Sequence, residues 1–243
     1  MTNYSFDITS YHKKINKKKS IPFLVLILMI ISLSVCWYFI NPKAENFYQF
    51  YIVYADRFNT YKQASSLASK IQTEGGAGYI FYDQYYYVFV NTYANENSAE
   101  KVVENIKDDY SNANIYHLKI NKLNSFKNSK LDQQKSLYDY NTSLANTLLE
   151  LTGNSIKYDS HETSYEQYII SIKNSKEYTQ KLSTECIKHL SYDLTFNTIK
   201  SNIQKINNSL DAMSSLDSVN ITWKAKFYNC QILESYLSIA SSF

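Results

Sequence analysis

The chain has 243 residues, enough for one large domain or two small ones. Its formal charge of +3 is unevenly spread: residues 1–20 carry five lysines and Asp7, a net +4, which leaves −1 for the rest. That excludes a basic domain binding nucleic acid by counterion release. The 24 tyrosines, the abundant lysine and the single arginine, Arg57, match AT-rich coding and are not by themselves a functional signal.

Residues 1–20 show no periodicity and read as a disordered tail ending in Lys17-Lys18-Lys19. Residues 21–40 carry no charge. Twenty apolar residues in a helix span roughly 30 Å, the thickness of a bilayer's hydrocarbon core. Trp37 and Tyr38 stand at the far end, where amphipathic rings favour the membrane interface. The preceding lysines predict a cytoplasmic amino terminus, with residues 41–243 outside. No small-x-small cleavage site follows, and Val35 before Cys36 does not suit a lipoprotein, so an uncleaved single-span anchor is expected. Residues 41–46 are a short linker.

From Phe47 to Ile120 the sequence is written twice at an offset of 35: Val53 falls on Val88, Phe58 on Tyr93, Ala64 on Ala99, Leu67 on Val102, Ile71 on Ile106 and Ile80 on Ile115. In the first copy Phe50–Ala55 reads as a strand. Thr60 with Gln63 forms a capping-box pattern, and Ala64, Leu67, Ala68 and Ile71 share one helix face. Gly75-Gly76 stops that helix, and Ala77–Tyr82 is a second strand. In the second copy Tyr85–Val90 is a strand, Ala99, Val102, Val103 and Ile106 mark a helix, and Asn114–Ile120 is the last strand. The order βαββαβ predicts an α+β module over residues 47–122: a four-stranded antiparallel sheet with both helices on one face and right-handed crossovers.

This doubled unit resembles the SPOR (sporulation-related repeat) family. Asp56-Arg57-Phe58 and Asn91-Thr92-Tyr93 hold the positions of its Gly-Ser-Phe-like turn. The turn glycine is Asp56 in one copy and Asn91 in the other. Tyr54 replaces a polar residue, often glutamine, and Tyr87 stands where a third-strand arginine is common. The resemblance implies a bacterial cell-envelope setting, a role in division or sporulation, and peptidoglycan glycan as the partner.

Strand alternation places Tyr51, Val53 and Ala55, with Tyr86, Val88 and Val90, under the helices. The opposite face carries Phe50, Ile52, Tyr54, Tyr85, Tyr87 and Phe89. An aromatic face suits sugars, whose apolar C–H faces stack on rings while tyrosine hydroxyls bond the rim. By the resemblance, this face binds glycan strands that lack stem peptides. The alternative is that the helical tail packs over it.

Residues 123–243 read as an antiparallel bundle of three or four helices, and Gly153 is its only glycine. Leu137, Leu144, Leu148 and Leu151 mark one helix; Tyr165, Tyr168, Ile169, Ile172 and Leu182 a second. Phe196 to Leu216 marks another, and Trp223 to Leu237 the last. Residues 191–193 fit either a turn or a mid-helix position. Cys186 and Cys230 lie on different helices and suit either a disulfide or two buried thiols.

No cofactor or metal motif is found: His12, His117, His161 and His189 lack ligand spacing. A non-enzymatic, membrane-anchored protein is therefore expected, its module binding glycan and its bundle recruiting an envelope or division partner. Two alternatives stand beside it. One is an interaction ectodomain that has lost glycan binding. The other is a wall hydrolase in the tail using Glu150, Glu162, Glu166 or Glu185.

Overall fold

A computed structural model describes residues 47–122, 131–190 and 194–242. The expected tail, membrane span and linker at residues 1–46 lie outside the described residues, as do residues 191–193. Among the described residues no helix is long and apolar enough to cross a membrane.

The doubled unit folds as β1 (Phe47–Phe58), α1 (Tyr61–Thr73), β2 (Tyr79–Asp83), β3 (Tyr85–Tyr93), α2 (Glu96–Ile106) and β4 (Asn114–Asn121). The sheet is antiparallel throughout, in the order β2-β3-β1-β4. Central strands β1 and β3 must bury both faces, which explains their near-continuous aromatic and β-branched content.

Local chemistry sets the ends. Thr60 caps α1 by accepting from the Gln63 N–H, and its hydroxyl donates to the Gln63 side chain at 2.7 Å. Asn95 caps α2 by accepting from the Ser98 N–H at 2.8 Å. At the end of α1 the Gly76 N–H donates to the Ile71 carbonyl at 2.9 Å and the Gly75 N–H to the Gln72 carbonyl at 3.1 Å. Those two bonds form a Schellman closure, and Gly75 adopts the left-handed φ of +84° that it needs. Gly78 is also left-handed, at +56°, so β2 begins two residues later than the sequence predicts.

Both helices lie on one sheet face. Ala64, Ala68 and Ile71 of α1 pack on Ala55 and Val88. Ala99 of α2 packs on Val53 and Tyr93, with Val102, Val103 and Ile106 at the rim.

Four helices follow: α3 (Leu131–Asp159), α4 (Tyr165–His189), α5 (Leu194–Ser214) and α6 (Ile221–Ala240). Each packs on two neighbours in the ring α3-α4-α5-α6. The leucine stripe of α3, at 137, 144, 148 and 151, is fully buried, as are Ile199, Ile203, Ile206, Leu210 and Met213 of α5. Helix α4 starts with a full capping box, Ser164 with Gln167. Its inner face becomes small and polar after Ile172, at Ser175, Thr179 and Ser183. Two of these small side chains pair with neighbours, Thr179 with Thr147 at 3.2 Å and Ser183 with Asn207 at 3.0 Å. Cys186 and Cys230 are buried free thiols. Burial pushes the Cys186 thiol up to about 12 and the Cys230 thiol higher still.

Two measurements probe these features. A Cβ at position 78 would meet the Ala68 carbonyl at 2.3 Å, so Gly78→Ala should lower unfolding stability by roughly 2–4 kcal/mol in urea melts. At pH 8 the peptides carrying Cys186 and Cys230 should resist iodoacetamide in the native protein and react fully in denaturant, read by mass spectrometry.

Candidate functional site

The second sheet face is not open. Phe50, Ile52 and Phe89 are 1 %, 1 % and 3 % exposed, and Tyr87 is 9 % exposed. They belong to one apolar core with Leu137, Tyr140 and Leu144 of α3 and Cys230, Leu233 and Tyr236 of α6. Exposing Phe50, Ile52, Phe81, Phe89 and Leu118 again would cost about 1.5–3 kcal/mol each, comparable in sum to the stability of a whole domain. The bundle is therefore a fixed cover for this part of the face.

Polar bonds at its edges fix its position. The Thr92 and Thr152 hydroxyls pair at 3.1 Å, and the Tyr79 hydroxyl donates to Glu234. Lys226 of α6 is buried; its Nζ sits 2.7 Å from Asp159 Oδ2 and donates to the Gly75 carbonyl at 2.7 Å. One cation thus ties the end of α3 to the turn after α1. Burial raises the Asp159 carboxyl above its usual range, against the pull of Lys226.

Two bulges set what remains accessible. Val53 pairs with Asn91 but Tyr54 with Phe89, so Val90 is an extra residue in β3. Asp56 pairs with Val88, so Ala55 is an extra residue in β1. The first bulge turns Thr92 towards α3, where it meets Thr152. The second brings Arg57 opposite Tyr87, on the aromatic face. Simple alternation predicts neither placement.

The aromatic face consequently ends in a polar group that the bundle leaves accessible. Tyr54 is half-buried, edge-on to Tyr87 with centroids 5.1 Å apart. Tyr85 is 37 % exposed, and the Arg57 guanidinium lies 4.8 Å above its ring. The adjoining Tyr87 side chain raises the guanidinium pKa above its ordinary value. Beside them is a cleft of about 430 Å³ lined by Tyr54, Asp56, Arg57, Lys107, Asn112 and Asn114, among others. Asn112 donates to Asp56 at 3.2 Å. Burial raises the Tyr54 hydroxyl pKa, with Arg57 opposing.

Tyr116 of β4 closes the covered part of the face. Its ring touches Tyr87, Phe89 and Phe81 at 5.2–5.9 Å, reaching past β1 and β3 to β2, and its hydroxyl donates to Asp83 at 2.6 Å. Of the six residues expected on the aromatic face, the structure thus groups Tyr54 and Tyr85 at the open end and places Phe50, Ile52, Phe89 and Tyr87 in the core that the bundle covers, with Tyr87 at its border. Arg57 and Tyr116 join the group unanticipated; the sequence sign of Arg57 is that it is the chain's single arginine.

With this geometry in view, the family model of the SPOR domain matches residues 48–116. That segment is a SPOR domain. No curated protein and no solved structure matches the chain significantly. The match stops at Tyr116, so the four helices of the bundle lie outside it. Glu150, Glu162, Glu166 and Glu185 are all solvent-exposed. Among the described residues no group of three His, Cys, Asp or Glu could hold a metal ion.

The Lys226 tie can be tested by Lys226→Ala. Asp159 keeps a third of its surface, so the loss should be roughly 2–3 kcal/mol at pH 7, below that of a fully buried pair. Removing the cation raises the Asp159 pKa in the folded state still further above its unfolded value. The charged carboxylate then costs stability at neutral pH, and that cost disappears as pH falls through the raised pKa. Melts at pH 7 and in mild acid should show the deficit shrinking in acid.

Proposed function

We propose that the protein is a non-enzymatic cell-envelope component whose SPOR domain binds peptidoglycan glycan through the open end of its sheet. The SPOR match supports the ligand class, since such domains generally bind peptidoglycan in cell division. One observation carries the location: Tyr54, Arg57 and Tyr85 converge at the border of the bundle's cover, against the buried Tyr87. Rings offer stacking surfaces, and Arg57, Asp56 and Asn112 offer donors and acceptors for hydroxyls at the adjoining cleft. Family members commonly carry an arginine at the third-strand position of Tyr87; here Arg57 approaches the same place from β1.

The uncharged stretch 21–40 supports a membrane anchor, with the lysine-rich tail inside the cell and the described unit outside it. The bundle is the surface left for a division or sporulation partner. A second reading is favoured by the burial of Phe50, Ile52 and Phe89: an interaction ectodomain that keeps the fold and has given its sheet face to the bundle.

Co-sedimentation of the full chain with purified sacculi separates the two. Binding weakened about tenfold or more by Arg57→Ala with Tyr85→Ala is expected for the glycan site. Failure to pellet, or pelleting indifferent to that pair, supports the ectodomain instead.

A further inference from the structure

The large exposed apolar side chains are not scattered evenly: Tyr61, Tyr82 and Tyr85 cluster at the β2–β3 hairpin end, at 60 %, 62 % and 37 % exposure. Tyr85 belongs to the site above. Tyr61 and Tyr82 lie around the half-buried Tyr86, with centroids 5.9 Å and 4.8 Å from its ring.

All three rings are held on rigid backbone. Tyr82 and Tyr86 are direct cross-strand partners, and the hairpin closes through Gln84 at a left-handed φ of +60°. Tyr61 opens α1 next to its cap Thr60. Tyr86 is anchored by packing at the edge of the Ala55–Val88 core. Their hydroxyls have no hydrogen-bond partner among the described residues. Rings held in place with unused hydroxyls suit a neutral polyhydroxylated ligand.

Tyr85 and Tyr86 are consecutive and point to opposite faces of β3, so this trio lies just around the hairpin from Arg57 and Tyr85. We propose that Tyr61, Tyr82 and Tyr86 form a second carbohydrate-stacking platform, which takes further sugar units of a glycan strand passing over the hairpin from Arg57 and Tyr85. The inference rests on the glycan reading above and adds a contact on the helix-covered side of the sheet. A linear polymer held at two neighbouring platforms gains avidity that neither provides alone.

The test uses the full chain and protease-treated sacculi, with thermal melts to confirm folding of each variant. Tyr61→Ala with Tyr82→Ala should weaken pelleting about threefold to tenfold, and Tyr61→Phe with Tyr82→Trp should restore it. Peptide-free glycan strands should compete. Undiminished binding by the alanine pair, where Arg57→Ala with Tyr85→Ala still loses it, overturns the second platform and leaves the first site standing. Loss that the aromatic pair does not restore also overturns it. If the wild-type chain does not pellet, the platform falls together with the glycan reading.

Discussion

The structure depends on a sheet with two apolar faces. Its central strands, β1 and β3, put small and branched residues on one side and Phe50, Ile52, Tyr87 and Phe89 on the other. Helices α1 and α2 cover only the first side. Four strands with an uncovered aromatic face would present a large patch for association. Helices α3 and α6 remove that patch, so the sheet and the bundle complete one core rather than meeting as independent bodies. Helix α6 shows this most clearly. Cys230, Leu233 and Leu237 line one small void with Ile52, Phe81 and Phe89, while Ala225, Ile232 and Ile239 are buried elsewhere on the helix. Burial on more than one side of a helix is what a position between two layers requires.

The doubled fold was legible because its signals are local. Period-two and period-3.6 patterns repeat at one offset, and a cap and a glycine pair punctuate the first copy at Thr60 and Gly75-Gly76. The bundle's stripes were legible for the same reason, and Leu137, Leu144, Leu148 and Leu151 are all interior. The cover over the aromatic face was not legible. A strand's pattern states that a face is apolar, not whether sugar or leucine occupies it, and both fates remained open for Phe50, Ile52 and Phe89. The bulges at Ala55 and Val90 were hidden too, because an extra residue in a ladder leaves composition unchanged and alters only the phase of the residues after it. Arg57 and Thr92 both stand beyond a bulge, which is why each faces the side opposite to that given by simple alternation.

The polar groups at the seam explain how the cover keeps its register. Apolar contacts are non-directional and would allow α6 to slide along the sheet. Lys226 restricts that sliding, because its two oxygen partners come from separate elements, α3 and the turn after α1. Leaving one of them would strand a buried ammonium short of acceptors. Thr92–Thr152 and Tyr79–Glu234 fix two more points of the seam. Gly75 serves both purposes: its left-handed backbone ends α1, and its carbonyl is free to accept from Lys226.

The same geometry decides where a ligand could still meet the aromatic side chains. Cover is complete where α3 and α6 lie over β1 and β3, and Tyr116 extends it by laying its ring on Phe81, Tyr87 and Phe89. Beyond Tyr116 the strands continue into the hairpin, and Arg57 replaces an aliphatic contact with a charge over an exposed ring. A guanidinium on a tyrosine face is tolerated in water and unfavourable beneath a leucine, so the apolar core must end there. The boundary between packed face and solvent-facing end is therefore set by the bulge at Ala55, one residue that turns the chain's single arginine towards the tyrosines.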